Sequence, residues 1–280
     1  MTPWVCKAFA KINWTLEVLR KRPDGYHELR SWFLPLSLAD SLGATPASKT
    51  SLRVESSSAL GALHCDANNL VLCADSAWRA AGGEAPLLAW HLEKRIPVAS
   101  GLGGGSSDAA AALFLLQKAA ISPLRPNTLT SVAAELGSDV PFFLSAEQAE
   151  LRTGRGELVL ATAPLPLQAL VLSWPPFPVS TAAVFAQWQG QAANSASEAA
   201  ELPLTPGDNA LVAAAHLAFP ELVGFVASLR KFGPFVQSGS GGAHFLPCAT
   251  RREADRISSS MQAAGMQTLV TQTREEPQSC

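Results

Sequence analysis

Charged side chains are scarce. Asp, Glu, Lys and Arg make up 16% of the 280 residues, and 21 basic against 23 acidic groups leave a formal net charge of -2. A chain so close to neutral has no bulk basic field for a nucleic-acid polyanion or an anionic membrane surface, so any nucleotide partner is expected to be a small molecule. No stretch approaches the ~18 uninterrupted apolar residues of a membrane span, because polar residues and prolines break each one. The first residues carry Lys7 and run into Lys11, Asn13 and Glu17, without the long apolar core of a secretory signal. The five cysteines, at 6, 65, 73, 248 and 280, form no Cys-x-x-Cys pair and have no histidines at zinc-ligand spacing. Together these absences lead to the expectation of a soluble protein of the reducing cytoplasm, with no protein metal site, no nucleic acid and no membrane partner.

Apolar residues are plentiful, at 48% with a mean hydropathy of +0.15, which supplies a sizeable core and carries no disorder signature. The pattern along the chain alternates between short and helical periods. Strand-like text runs from Lys7 to Leu19, turns at Pro23-Asp24-Gly25, resumes from Leu29 to Leu38, and returns at Ser51 to Glu55. Asn69 opens a helix over Leu70 to Ala81, Pro86 to Arg95 reads as a strand, and helices follow over Asp108 to Ala120 and Pro126 to Leu136. Past the proline-rich stretch 164–178 the expected order is a strand at 167–174, three helices, two short strands around 239–242, a helix at 249–264 and a strand at 266–271. That is the split β-α-β order of a ferredoxin-like unit. We therefore expect an α+β chain of two domains, residues 1–160 and 161–280, with an insertion lacking clear periodicity at 190–206.

One segment carries chemistry by itself: Pro97-Val98-Ala99-Ser100-Gly101-Leu102-Gly103-Gly104-Gly105-Ser106-Ser107-Asp108. Glycines let a backbone approach a ligand closely, and a helix starting at Ser106 or Ser107 offers unpaired N–H groups at its positive end. Together these suit phosphate. The dinucleotide fingerprint fails for want of its third glycine, and no Gly-x-x-x-x-Gly-Lys-Ser/Thr is present, which argues against a Rossmann dehydrogenase or a Walker-type ATPase.

With Ala10-Lys11-Ile12-Asn13, Arg22-Pro23-Asp24-Gly25-Tyr26-His27, Leu136-Gly137-Ser138-Asp139-Val140-Pro141, Gly154-Arg155-Gly156-Glu157 and Ser238-Gly239-Ser240-Gly241-Gly242, that loop makes the chain resemble the GHMP kinase superfamily from about Lys7 to Val270. Lys-x-Asn joined to Pro-Asp-Gly-Tyr-His narrows the resemblance to the branch whose acceptor is a cytidine diphosphate derivative of methylerythritol, an isoprenoid precursor. The resemblance implies a two-domain fold, with an N-terminal α/β unit like that of ribosomal protein S5 and a ferredoxin-like C-terminal unit. It also implies ATP-dependent phosphorylation of the acceptor's 2-hydroxyl, with Mg2+ on the phosphate oxygens.

By that resemblance Asp139 accepts or orients the hydroxyl proton and Lys11 is its electrostatic partner. Asn13, Tyr26, His27, Thr181 and Phe185 hold the acceptor, with Tyr26 and Phe185 sandwiching the cytosine and His27 hydrogen-bonding to it. Asn69, Lys94, Pro97, Gly101, Gly103, Gly104, Gly105, Ser106 and Ser107 surround ATP. Each also has an ordinary structural use: Asn69 and Thr181 at helix starts, Phe185 in a helix core, Lys94 on the surface. Trp14, Trp32 and His244 are unusual for the family; the tryptophans bear on pocket shape and His244 reads as a structural histidine, while Gly239 to Gly242 is a second ligand-facing loop or a hairpin turn. A sister kinase for homoserine, mevalonate-type compounds or sugars, or a nucleotide-binding regulator without turnover, are the alternatives.

Overall fold

The computed structural model describes residues 4–56, 67–145, 147–190, 201–274 and 280, so most of the expected 190–206 insertion lies outside the described residues. Two sheets organise the chain. The first is built on β3 (His27–Pro46), a 20-residue strand that pairs antiparallel with β1 (Trp4–Asn13), β2 (Glu17–Lys21), β5 (Leu88–Lys94) and β6 (Ala149–Gly154). β4 (Ser51–Ser56) runs parallel to β5, and β7 (Leu158–Ala163) closes the other edge beyond β6. The hairpin of β6 and β7 was absent from the sequence expectation.

Helices α1 (Leu70–Ala80), α2 (Gly104–Ala119), α3 (Pro126–Leu136) and α4 (Val140–Ser145) cover this sheet. The buried face of α2 is almost all small, with Ala109 to Ala112 in the core beside Leu113, Leu115 and Leu116. Alanine is both the best helix former and short enough to let the helix axis lie close to β1. Aromatic bulk comes instead from Trp78, Trp90, Phe142 and Phe143 in the same core.

The second sheet has the order β11-β8-β10-β9, from β8 (Ala169–Ser173), β9 (Val236–Gln237), β10 (His244–Cys248) and β11 (Thr268–Gln272). All its pairs are antiparallel, which is the ferredoxin-like arrangement expected from the order of elements. Between β8 and β9 come α5 (Thr181–Ala186), α6 (Val212–Ala218) and α7 (Glu221–Leu229), and α8 (Arg251–Ala263) packs behind the sheet. Leu38 N donates to the Thr271 hydroxyl (3.2 Å) and Arg274 N to the Pro35 carbonyl (3.0 Å), tying this sheet to β3.

One expectation changes. Trp14 and Trp32 do not shape the cleft; both are core residues, Trp14 stacking on Phe245 at 5.7 Å and donating to the Pro203 carbonyl. His244 is interior, as a structural histidine would be, with its ring Nδ1 2.8 Å from the Gly242 carbonyl oxygen, and burial pulls its pKa down to about 4. Cys6 and Cys280 come together from the two ends of the chain; a separation of 274 residues gives no local spacing to read.

Candidate active site

The two sheets and α2 surround a cleft of about 500 Å3. Its floor is the glycine loop. The chain enters from β5, passes Ala99 and Gly101 with φ of 53° and 80°, and begins α2 at Gly104 with Gly103 as N-cap at φ 75°. The helix therefore starts two residues before Ser106, because the glycine pair at 104–105 is accepted inside its first turn. A β-carbon on Gly103 would stand 2.7 Å from the Phe143 ring, so only glycine fits between that ring and the Lys11 side chain. The first turn of a 16-residue helix leaves backbone N–H groups facing the cleft, and this is where phosphate is held most cheaply.

Lys94 arrives from below. On β5 the buried positions are Leu88, Trp90, Leu92 and Lys94, so strand alternation carries the lysine inward. Its ammonium bonds Asp40 and Asp108, the latter at 2.6 Å. Asp40 Oδ1 also accepts the Arg95 and Ile96 amides at 2.5 and 2.8 Å, pinning the entry to the glycine loop. Burial alone would lower the Lys94 pKa, but the charges of Asp108 and Asp40 outweigh it and leave it raised. Burial, with Asp40 adding to it, pushes the Asp108 carboxyl well above the usual carboxylate range despite Lys94. Asp108 Oδ1 is buried and has no hydrogen-bond partner among the described residues. Lys94 thus lines the cleft as part of a buried cluster, unlike the surface lysine the sequence also allowed.

Lys11 and Asp139 meet across the cleft, with Nζ 3.2 Å from Oδ2. A register shift in β1 between Phe9 and Lys11 turns the strand here, and bulges of this kind re-aim side chains. Lys11 N also donates to the Leu102 carbonyl (2.9 Å), so the lysine backbone is fastened to the glycine loop. Its ammonium donates to Asn13 Oδ1 at 2.7 Å and lies 4.5 Å from the centre of the Phe33 ring. Asn13 Nδ2 donates to the Ser31 hydroxyl, which donates to the Thr15 carbonyl, and the Asn13 amide donates to the Ser238 hydroxyl. Asp139 sits in the turn between α3 and α4, one-quarter exposed and open to the cleft.

Asn13, Asn69, Pro97, Gly101, Gly103, Gly104, Gly105, Ser106, Thr181 and Phe185 line this same cleft. Ser107 does not: its side chain faces the core at 2% exposure. Asn69 has both uses weighed for it, since its side chain caps α1 by accepting the Val71 amide at 3.0 Å. Ser180, not Thr181, caps α5. Gly239 and Ser240 line the cleft too, so the late glycine segment is a second wall.

The aromatic end differs from the expected sandwich. The His27 ring stacks on Phe185 at 4.9 Å and meets Trp188 edge-on at 5.3 Å. Burial, with the Lys21 charge adding to it, lowers the His27 pKa and keeps the ring neutral near pH 7. Tyr26 stands apart, with the Arg155 guanidinium 4.8 Å over its ring. Sequence reasoning missed Asp40, Asp108 and Trp188 altogether and used Arg155 only as matching text.

A phosphate-holding helix start and loop, faced by a lysine–carboxylate pair in a two-sheet cleft, define a small-molecule kinase of GHMP type. The family model for the GHMP kinases N terminal domain matches residues 69–147. A 4-diphosphocytidyl-2-C-methyl-D-erythritol kinase of Pelotomaculum thermopropionicum is 39% identical over 95% of this chain and 96% of its own length. One of Moorella thermoacetica is 36% identical over 95% of this chain and 97% of its own length. The crystal structure of a 4-(cytidine 5'-diphospho)-2C-methyl-D-erythritol kinase, 32% identical, superposes with a TM-score of 0.76 over 97% of this chain and 100% of its own. The chain belongs to the 4-diphosphocytidyl-2-C-methyl-D-erythritol kinase family, and so to the ATP-dependent kinases. No helix among the described residues is long and apolar enough to cross a membrane.

Proposed function

We propose that this chain transfers the γ-phosphoryl group of ATP to the 2-hydroxyl of 4-diphosphocytidyl-2-C-methyl-D-erythritol, giving the 2-phosphate and ADP, in the cytoplasmic supply of isoprenoid precursors. The observation that carries the mechanism is the contact between Lys11 Nζ and Asp139 Oδ2 beside the start of α2. Phosphoryl transfer asks a protein mainly for positioning and for charge stabilisation. Asp139 accepts or orients the hydroxyl proton; Lys11, fixed by Asn13, offsets negative charge on the attacking oxygen. Gly101, Gly103, Gly104, Gly105 and Ser106 hold the phosphates, with Pro97, Asn69 and Lys94 around the rest of ATP. Ser107 and the cluster beneath Lys94 act from the interior by fixing that loop.

Thr181, Phe185, Tyr26 and His27 form the acceptor end. Because His27 already stacks on Phe185, a cytosine enters this end by moving one of those rings or by using the free face of Tyr26. Stacking of a base on an aromatic ring is worth about 1–3 kcal/mol. A magnesium ion bound with ATP would neutralise charge on the phosphate oxygens. Asp139 and Ser106, oxygen donors lining the cleft, would hold such an ion together with waters and phosphate oxygens. We also propose two domains, 1–160 and 161–280, supported by the passage from one sheet to the other between Ala163 and Ala169.

A coupled ADP-release assay with ATP and magnesium tests the activity. The cytidine compound is compared with homoserine, mevalonate, galactose and no acceptor. Release that depends on the cytidine compound is the expected result, and equal release with another alcohol refutes the assignment.

A further inference from the structure

The cleft must hold two polyanions at once, yet of the three cations lining it among the described residues two are already neutralised. Lys94 is shared between Asp40 and Asp108, and Lys11 is paired with Asp139. The third is Arg155, at the tip of the β6–β7 hairpin, lining the cleft with Asp139, Thr181 and Phe185. Among the described residues its one ion pair is an Nε contact to Glu157 at 3.7 Å, long for a hydrogen bond. Both terminal nitrogens lack a hydrogen-bond partner among the described residues, so the planar fork that suits phosphate oxygens is unused.

The hairpin holds Arg155 in place. Gly154 and Gly156 take φ of 71° and 114°, a turn that side chains rarely allow. Buried Arg152 donates to the Gly156 carbonyl at 2.9 Å, Glu28 accepts the Gly154 amide at 3.2 Å, and Glu157 accepts the Arg155 amide at 2.5 Å. Glu157 is thus occupied by the backbone. A β-carbon on Gly156 would lie 3.6 Å from Asp139 Oδ1, so the turn touches the proton-handling carboxylate on one side. On the other, the guanidinium rests on the Tyr26 ring.

Resting on the function proposed above, we infer that Arg155 binds the diphosphate of the acceptor and makes this site prefer a nucleoside diphosphate ester over the same alcohol or nucleoside without it. Tyr26 supplies the stacking surface that aims the guanidinium while leaving its outer nitrogens open. Arg155 is then a specificity-determining residue, separate from Lys11 and Asp139 in what it recognises.

The test compares wild type, Arg155→Ala and Arg155→Lys in the kinase assay, with CDP and cytidine as competitors against the acceptor. Arg155→Ala is expected to raise the acceptor KM and the inhibition constant of CDP together, about 10- to 100-fold, as for lost hydrogen bonds to a charged group. The inhibition constant of cytidine and the KM of ATP should hardly move, and Arg155→Lys should recover part of the loss. An equal loss for CDP and cytidine would overturn the proposal in favour of contact with the base, and no loss for either would reduce Arg155 to a surface residue. The unchanged ATP KM guards against a folding defect. If wild type fails to phosphorylate the cytidine compound, the functional reading falls by itself. The Arg155 inference is then still decided by calorimetric binding of CDP against cytidine.

Discussion

Gly241 lies against Gly101 with no room for a side chain between them. A β-carbon on Gly241 would stand 2.5 Å from the Gly101 amide nitrogen and from the Ser100 carbonyl. The late glycine segment is therefore the outer support of the phosphate loop, clasped to it by the Ala243 amide donating to the Ser100 carbonyl at 2.9 Å.

Gly241→Ala is expected to push the phosphate loop out of place. The intruding atom meets backbone, which cannot swing aside, so overpacking of about 1–3 kcal/mol follows. The KM for ATP should rise more than the KM for the acceptor, with a lower melting temperature. An unchanged ATP KM would show that the loop is held from elsewhere.

Asp139→Asn keeps the shape of the turn and removes the proton acceptor. Turnover should fall about 10²- to 10⁴-fold, while ATP binding measured by calorimetry stays within a factor of a few. If turnover persists, the Lys11–Asp139 contact is a structural pair and the hydroxyl loses its proton without a protein base.

The two aspartates on Lys94 should respond differently. Asp40→Ala strands the lysine beside the raised Asp108 carboxyl and frees the amides of Arg95 and Ile96, costing about 3–5 kcal/mol as for one partner lost from a buried pair. Asp108→Asn keeps a hydrogen-bonding group beside Lys94 and removes a carboxyl that burial disfavours, so it should cost less than Asp40→Ala. Urea unfolding of both variants decides it, and equal costs would contradict this division of roles.

His244 sets an acid limit on stability. Burial holds its pKa at about 4 in the folded protein, the Gly242 carbonyl working against that and His216 adding a little to it, whereas the unfolded chain titrates near 6.5. Above pH 6.5 both states are neutral and nothing is lost. As pH falls from about 6.5 to 4 the unfolded state alone takes up the proton, so stability declines by up to about 3 kcal/mol. His244→Phe, whatever its constant cost, should flatten that part of the stability profile. An unaltered slope would assign the acid sensitivity to other groups.

Much of this could be read before any coordinates. Pro126 to Leu136 is a helix between the residues its proline and Gly137 suggest, and the ferredoxin-like sheet follows from the order of short periodic segments. The site residues are legible where several sit in one motif, as in the glycine loop. Elsewhere the relevant signal is tertiary. The start of α2 was placed too late because glycines have poor helix propensity, although at a first turn that facing a ligand pocket they serve well. Lys94, expected either on the surface or beside ATP, is carried inward by the alternation of Leu88, Trp90 and Leu92 along β5. Its partners Asp40 and Asp108 lie on other elements, and no spacing rule connects them. The ring pairing of His27 with Phe185 likewise depends on where α5 docks against the start of β3.

The Asn13 amide bonds the Ser238 hydroxyl across 225 residues, and Gly241 closes on Gly101 from the same late segment. During synthesis the phosphate loop and Lys11 therefore leave the ribosome long before the backbone that braces them, a lag on the order of ten seconds or more at ordinary elongation rates. A nascent chain carrying every residue of the glycine loop lacks these braces over that interval. A prematurely terminated product ending before residue 238 would have the nucleotide-binding text but no competent cleft.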